Sequence, residues 1–113
     1  MSDLIFAPPI AQGYPYAVQF EAAGSDVVFP DGIGLRAQVR ERFTGELITE
    51  LTTENGGLVV INPQTVEVRI PASATSQASS FIMLDLVRTD QQDEQYLYFL
   101  LKIPVSQTVT KPE

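Results

Sequence analysis

Apolar and polar residues alternate along much of this chain, and the alternation is clearest in the stretch LTTENGGLVVINPQTVEVRIP, from Leu51 to Pro71. That pattern predicts strand, tight turn, strand, turn, strand. Asn55-Gly56 suits a type I′ hairpin turn, which needs φ > 0 at both central positions. Such a turn sets Thr53 opposite Leu58 and Leu51 opposite Val60. A three-residue loop at Asn62-Pro63-Gln64 then carries the inward set to Val66, Val68 and Ile70, leaving Thr65, Glu67 and Arg69 outside. A two-residue Pro63-Gln64 turn would exchange Val60 for Ile61.

Other segments repeat the two-residue period. Tyr16–Glu21 reads as a first strand, with Tyr16, Val18 and Phe20 on one face. Gly24–Gly34 reads as a loop with Pro30-Asp31-Gly32 as its turn. In Leu35–Glu41, Leu35, Ala37 and Val39 oppose Arg36, Gln38 and Arg40. Leu47–Thr53 follows. A turn at Phe43-Thr44-Gly45 pairs Arg42 with Glu46, brings Arg40 near Glu50, and puts Leu47, Thr49 and Leu51 on the face of Val39. An even-numbered loop would bury Glu46 and Glu50. Pro71–Ser80 is small and polar, a helical turn or crossing loop. Phe81–Arg88 turns Ile82, Leu84 and Leu86 to one side. Asp90–Glu94 is a hairpin loop. In Gln95–Val105, Leu97, Phe99, Leu101 and Ile103 oppose Tyr96, Tyr98 and Lys102.

These elements predict an all-β chain, an antiparallel Ig-like β-sandwich of about seven strands with an extended N-terminal arm. Residues 1–15 form the arm, 16–106 the sandwich and 107–113 a polar tail. With neither a Cys pair nor a Trp, "Ig-like" describes architecture alone. The expected core is Leu35, Val39, Leu51, Val66, Val68, Ile82, Leu84, Phe99 and Leu101.

The arm is apolar but has no strand or helix period, and Pro8, Pro9 and Pro15 interrupt it. It either covers an edge of its own sheet or docks on a neighbouring subunit. The second expectation has Leu4, Ile5, Phe6 and Ile10 contacting another copy. Phe81, Met83, Tyr96 and Tyr98 lie on faces that one small domain need not bury, which points to self-association through them.

Composition narrows the chemistry. The 113 residues suffice for one domain and include neither Cys nor His. Disulfides, Cys/His metal sites and His-based activation are therefore excluded. Fourteen acidic against seven basic residues give a net charge of −7, which repels nucleic acid unless basic groups cluster. The start of the chain lacks a basic segment followed by a long apolar run, so no signal peptide is expected. The apolar run at Tyr96–Leu101 is far short of a ~20-residue membrane span. Asp90, Asp93 and Glu94 share a loop without the residue order of a dedicated Ca²⁺ loop. A Ser-Lys dyad from Lys102 or Lys111 has no supporting context. No enzyme activity, cofactor, metal or small-molecule substrate is expected.

The segment LTTENGG, followed by a strand and then TVEVRIPASAT, resembles a domain common in bacteriophage and prophage structural genes. PASATSQ, FIMLDLVRTD and YLYFLLKIPVS continue that family's order, so the resemblance spans roughly residues 34–106. Asp31-Gly32-Ile33-Gly34 is shorter than the family's Gly-rich first hairpin. The resemblance implies a non-enzymatic virion component: a tail, baseplate, fibre-adaptor or head-associated module, made in the host cytoplasm. Its partners would be other virion proteins and copies of itself, without nucleic acid or membrane. The alternative class is a free-standing β-sandwich binding module of carbohydrate or adhesin type, with Tyr96 and Tyr98 as its platform.

Overall fold

From Tyr16 onward, strands form where the sequence alternates. The computed structural model describes residues 3–22, 27–41, 45–78 and 80–110, with residues 3–6 described by their backbone. The elements are β1 (Asp3–Phe6), β2 (Ile10–Ala11), β3 (Tyr16–Glu21), β4 (Leu35–Arg40), β5 (Leu47–Thr52), β6 (Leu58–Asn62), β7 (Thr65–Ile70), α1 (Ala72–Thr75), β8 (Phe81–Arg88) and β9 (Gln95–Ser106). The chain is all-β, in two sheets. One runs β1-β9-β8-β4-β5, with β2 also on β9, and curls into a half-barrel. The other runs β3-β7-β6.

The inward residues of both sheets share one core. Val39, Val66, Val68, Leu86 and Ile103 have no exposed surface. Phe20 of β3 meets Phe99 of β9 edge to face, with ring centroids 4.7 Å apart, so aromatic packing joins the sheets. Eight of the nine expected core residues are buried; Phe99 is half-buried against them.

The Asn55-Gly56 turn does not make a hairpin. β5 pairs with β4, and β6 pairs with β7, so this loop carries the chain from one sheet to the other. Leu51 faces Ala37 and Leu58 faces Val68. Gly56 has φ +82°, whereas Asn55 is not in the left-handed region, which rules out type I′ geometry. Asn55 spends its side chain on the backbone instead. Its Oδ1 accepts from Thr52 N–H (2.9 Å) and Gly57 N–H (2.8 Å), and its Nδ2 donates to the Glu50 carbonyl (3.0 Å). A Cβ at Gly57 would come within 2.7 Å of the buried Leu51 side chain, so the crossing needs glycine there.

At the next turn both expected arrangements contribute. Asn62 faces Thr65 across Pro63-Gln64, and a bulge at Ile61 restores Val60 to its place opposite Val66. Ile61 is pushed out to 46% exposure. Thr65, expected outside, is buried, because the segment before β4 is drawn over this turn: Ala22 N–H donates to Gln64, and Val28 and Phe29 N–H donate to Pro63. A second bulge, between Val39 and Arg40, turns Leu47 out to 46% exposure instead of leaving it on the face of Val39. Arg40 donates to Gly45 O and Gln38 Oε1 rather than approaching Glu50. The expected Arg42–Glu46 pair involves Arg42, which lies outside the described residues.

The arm has more regularity than its sequence suggests. β1 and β2 add to β9 as parallel strands, Leu4 opposite Leu100 and Ile10 opposite Val105. Pro8 and Pro9, which lack an N–H, separate the two. Gln12 N–H donates to Ser106 O, and the Thr108 hydroxyl donates to Gln12 O. The arm therefore covers the β9 edge of its own sheet.

Candidate functional site

At the other end of that sheet, β5 pairs with β4 alone among the described residues, leaving its second edge without a strand partner. Beside it opens a groove of about 620 Å³, where the two sheets part. Leu51, Ile70, Pro15 and Pro71 give it apolar walls, with Glu50 and Arg69 among its polar residues. The Asn55-Gly56-Gly57 crossing closes one end. Asn55 occupies both the Glu50 carbonyl and the Thr52 N–H, the two groups that a residue of a parallel neighbouring strand would take when flanking Leu51. One side-chain amide thus stands in for a strand residue and blunts part of the open edge.

The outer face of β8 and β9 forms a second surface. Asp85 faces Leu100 and Val87 faces Tyr96, so Leu97, Tyr98 and Phe99 bulge out opposite Leu86 alone. Tyr98 sits at the crest with φ +62°, the one non-glycine residue with positive φ among those described. Its ring crosses that of Tyr96 at 83° with centroids 5.0 Å apart. The Tyr96 hydroxyl donates to Asp85 Oδ2 at 3.0 Å. Desolvation, reinforced by that carboxylate, pushes the Tyr96 phenol up to about 12.

Nearby charges are paired. Arg36 bridges Glu50 (3.4 Å) and Glu94 (2.7 Å). Arg88 grips Asp90 at 2.8 Å and holds that carboxyl down at about 2. Two of the three loop acids considered for Ca²⁺, Asp90 and Glu94, thus face arginines. No cluster of potential metal ligands occurs among the described residues.

The expected contact residues part company here. Ile10 has no exposed surface and belongs to its own core, so it offers nothing to another subunit. The side chains of Leu4, Ile5 and Phe6 lie outside the described set; their backbone pairs with Leu100, Leu101 and Lys102 of the same chain. Met83 is buried, flanked in register by Arg40 and Lys102, whose alkyl stems share its face. Phe81 is half-buried, with Lys102 Nζ 4.3 Å from its ring centroid. Tyr96 and Tyr98 remain, at 38% and 58% exposure. The sequence pattern missed the groove, because its walls come from four separate segments and no single period marks them.

No family model matches the sequence. No curated protein matches it either. A crystal structure of a "putative glycoside hydrolase" from Bacteroides vulgatus aligns with 95% of this chain at a TM-score of 0.45 and 10% identity. The aligned part is 17% of that chain, and a likeness of this size carries no argument about activity.

Proposed function

We propose that this chain is a non-enzymatic structural component of a phage virion, a tail, baseplate, fibre-adaptor or head-associated module that works through protein–protein contacts. One observation supports the reading most. Leu51, Asn55, Gly56, Gly57, Ile70 and Pro71, all within the segment that resembles phage structural domains, converge on the groove beside β5. A part-open strand edge next to an apolar cleft suits an inserted segment of another virion protein or of a second copy. In this reading β3–β9 form a seven-stranded, Ig-like antiparallel sandwich, with the arm added to its β9 edge.

A free-standing sugar-binding module is the other class. Its platform would be Tyr96 and Tyr98, yet rings crossed at 83° do not make the flat surface on which a pyranose stacks.

Antibody labelling of phage particles from the source strain, viewed by electron microscopy, tests the proposal. Label at one fixed position on the particle supports it. Unlabelled particles, with the chain recovered only in the soluble fraction, would overturn it.

A further inference from the structure

The corner formed by Tyr96, Tyr98 and Asp85 has the makings of a site for a cation. Two ring faces stand at 83° to one another, and a carboxylate lies beside them. Aromatic faces attract cations, and a guanidinium can stack on a ring while donating to a carboxylate. Asp85 Oδ2 accepts from Tyr96, while Oδ1 has no hydrogen-bond partner among the described residues. Asp85 is the carboxyl group that the Tyr96 hydroxyl holds at the corner.

The backbone adds an independent observation. A glycine would hold φ +62° at the β9 bulge without strain, yet a tyrosine occupies it and is 58% exposed. Strain kept under an exposed aromatic at a bulge marks a position where aiming the side chain matters.

We infer that Tyr96, Tyr98 and Asp85 receive an arginine side chain of a partner protein. No described arginine supplies the cation. Arg36, Arg40, Arg69 and Arg88 are each held by groups of their own: Glu50 and Glu94, Gly45 and Gln38, Glu67, and Asp90. A net charge of −7 favours a basic partner. Lys102 over the Phe81 ring shows the same kind of contact made internally on this sheet. The inference does not depend on the partner being a virion protein.

A tetra-arginine peptide is the probe, titrated into ¹⁵N-labelled full-length chain at physiological salt and followed by amide shifts. Tetra-lysine and cellobiose are titrated in parallel. Saturable shifts at Asp85 and Tyr96–Phe99 are expected with tetra-arginine. Asp85→Asn should weaken binding about tenfold, as loss of a charge-assisted contact does. Tyr98→Gly should abolish binding while leaving the thermal midpoint no lower than that of Tyr98→Ala, which separates lost recognition from lost folding. Asp31→Asn, a loop acid outside the corner, should bind as the parent does. Equal binding of tetra-lysine, unchanged binding by Asp85→Asn, or shifts at these residues with cellobiose alone would each overturn the assignment.

Discussion

The side chain of Asn55 grips the backbone of Glu50, donating from Nδ2 to its carbonyl at 3.0 Å while holding Thr52 and Gly57 through Oδ1. Three hydrogen bonds on a partly exposed loop contribute about 1–3 kcal/mol together. Asn55→Ala should lower stability by that amount in urea melts. It should also free the β5 edge and raise self-association in sedimentation runs. Asn55→Asp keeps the acceptor and loses the donor to Glu50, so it should fall between the two.

The strands were legible because alternation is a local property. Val66, Val68, Leu84 and Leu101 announce their burial through their neighbours. Pairing is not local, and Asn55-Gly56 shows why. The dipeptide marks a reversal, but whether the next strand stays in the sheet depends on where Leu58 finds its partner, which is Val68. Phe29 and Ile33 are buried in a segment without strand period, so no pattern marked them as core. The strands of the arm went unmarked for a related reason. Its parallel ladder on β9 is held by backbone groups, which leave no two-residue period in so short and proline-broken a segment. Tyr96 and Tyr98 were visible as outward residues, whereas the bulge that crosses their rings was not.

Leu84 is 2% exposed at the centre of the larger sheet. Leu84→Ala should cost about 2–5 kcal/mol through lost transfer energy and the cavity left behind. Against a typical stability of about 5–15 kcal/mol, the denaturant midpoint should drop sharply with little change in slope.

Deleting residues 2–12 removes Ile10 from the core and both strands from the β9 edge. The isolated domain should lose several kcal/mol, of which Ile10→Ala alone should account for about 2–5. A melting temperature unchanged by the deletion would return the arm to a role between subunits.

At position 98 two substitutions separate strain from ring contact. Tyr98→Gly and Tyr98→Ala both remove the T-shaped contact with Tyr96, but only glycine accepts φ +62° without cost. The glycine variant should be the more stable of the two by about 1 kcal/mol in parallel thermal melts.

Two groups fix the pH response at its extremes. The folded-state value of Tyr96 is raised to about 12, so its contribution is complete below the unfolded value of 10.0 and is lost as pH rises from there through 12. Phenolate absorbance should show this tyrosine titrating late, and Asp85→Asn should bring it part of the way back. Asp90 is depressed from 3.8 to about 2, so its pairing with Arg88 holds above pH 3.8 and is lost as pH falls through 2. Arg88→Ala should raise the Asp90 carboxyl toward its ordinary value in an NMR titration.

The parallel pairing of β1 and β2 with β9 has a consequence for biosynthesis. β1 leaves the ribosome well before β9 and must wait for it: Asp3 has no partner until Phe99 emerges. Contacts this distant in sequence close slowly, because the intervening chain must first be ordered. Until then the nascent chain carries Ile10 without its core and β9 without its edge cover. A ribosome stalled before Gln95 should hold a chain whose N-terminal segment is cut readily by protease, and release past Ser106 should protect it.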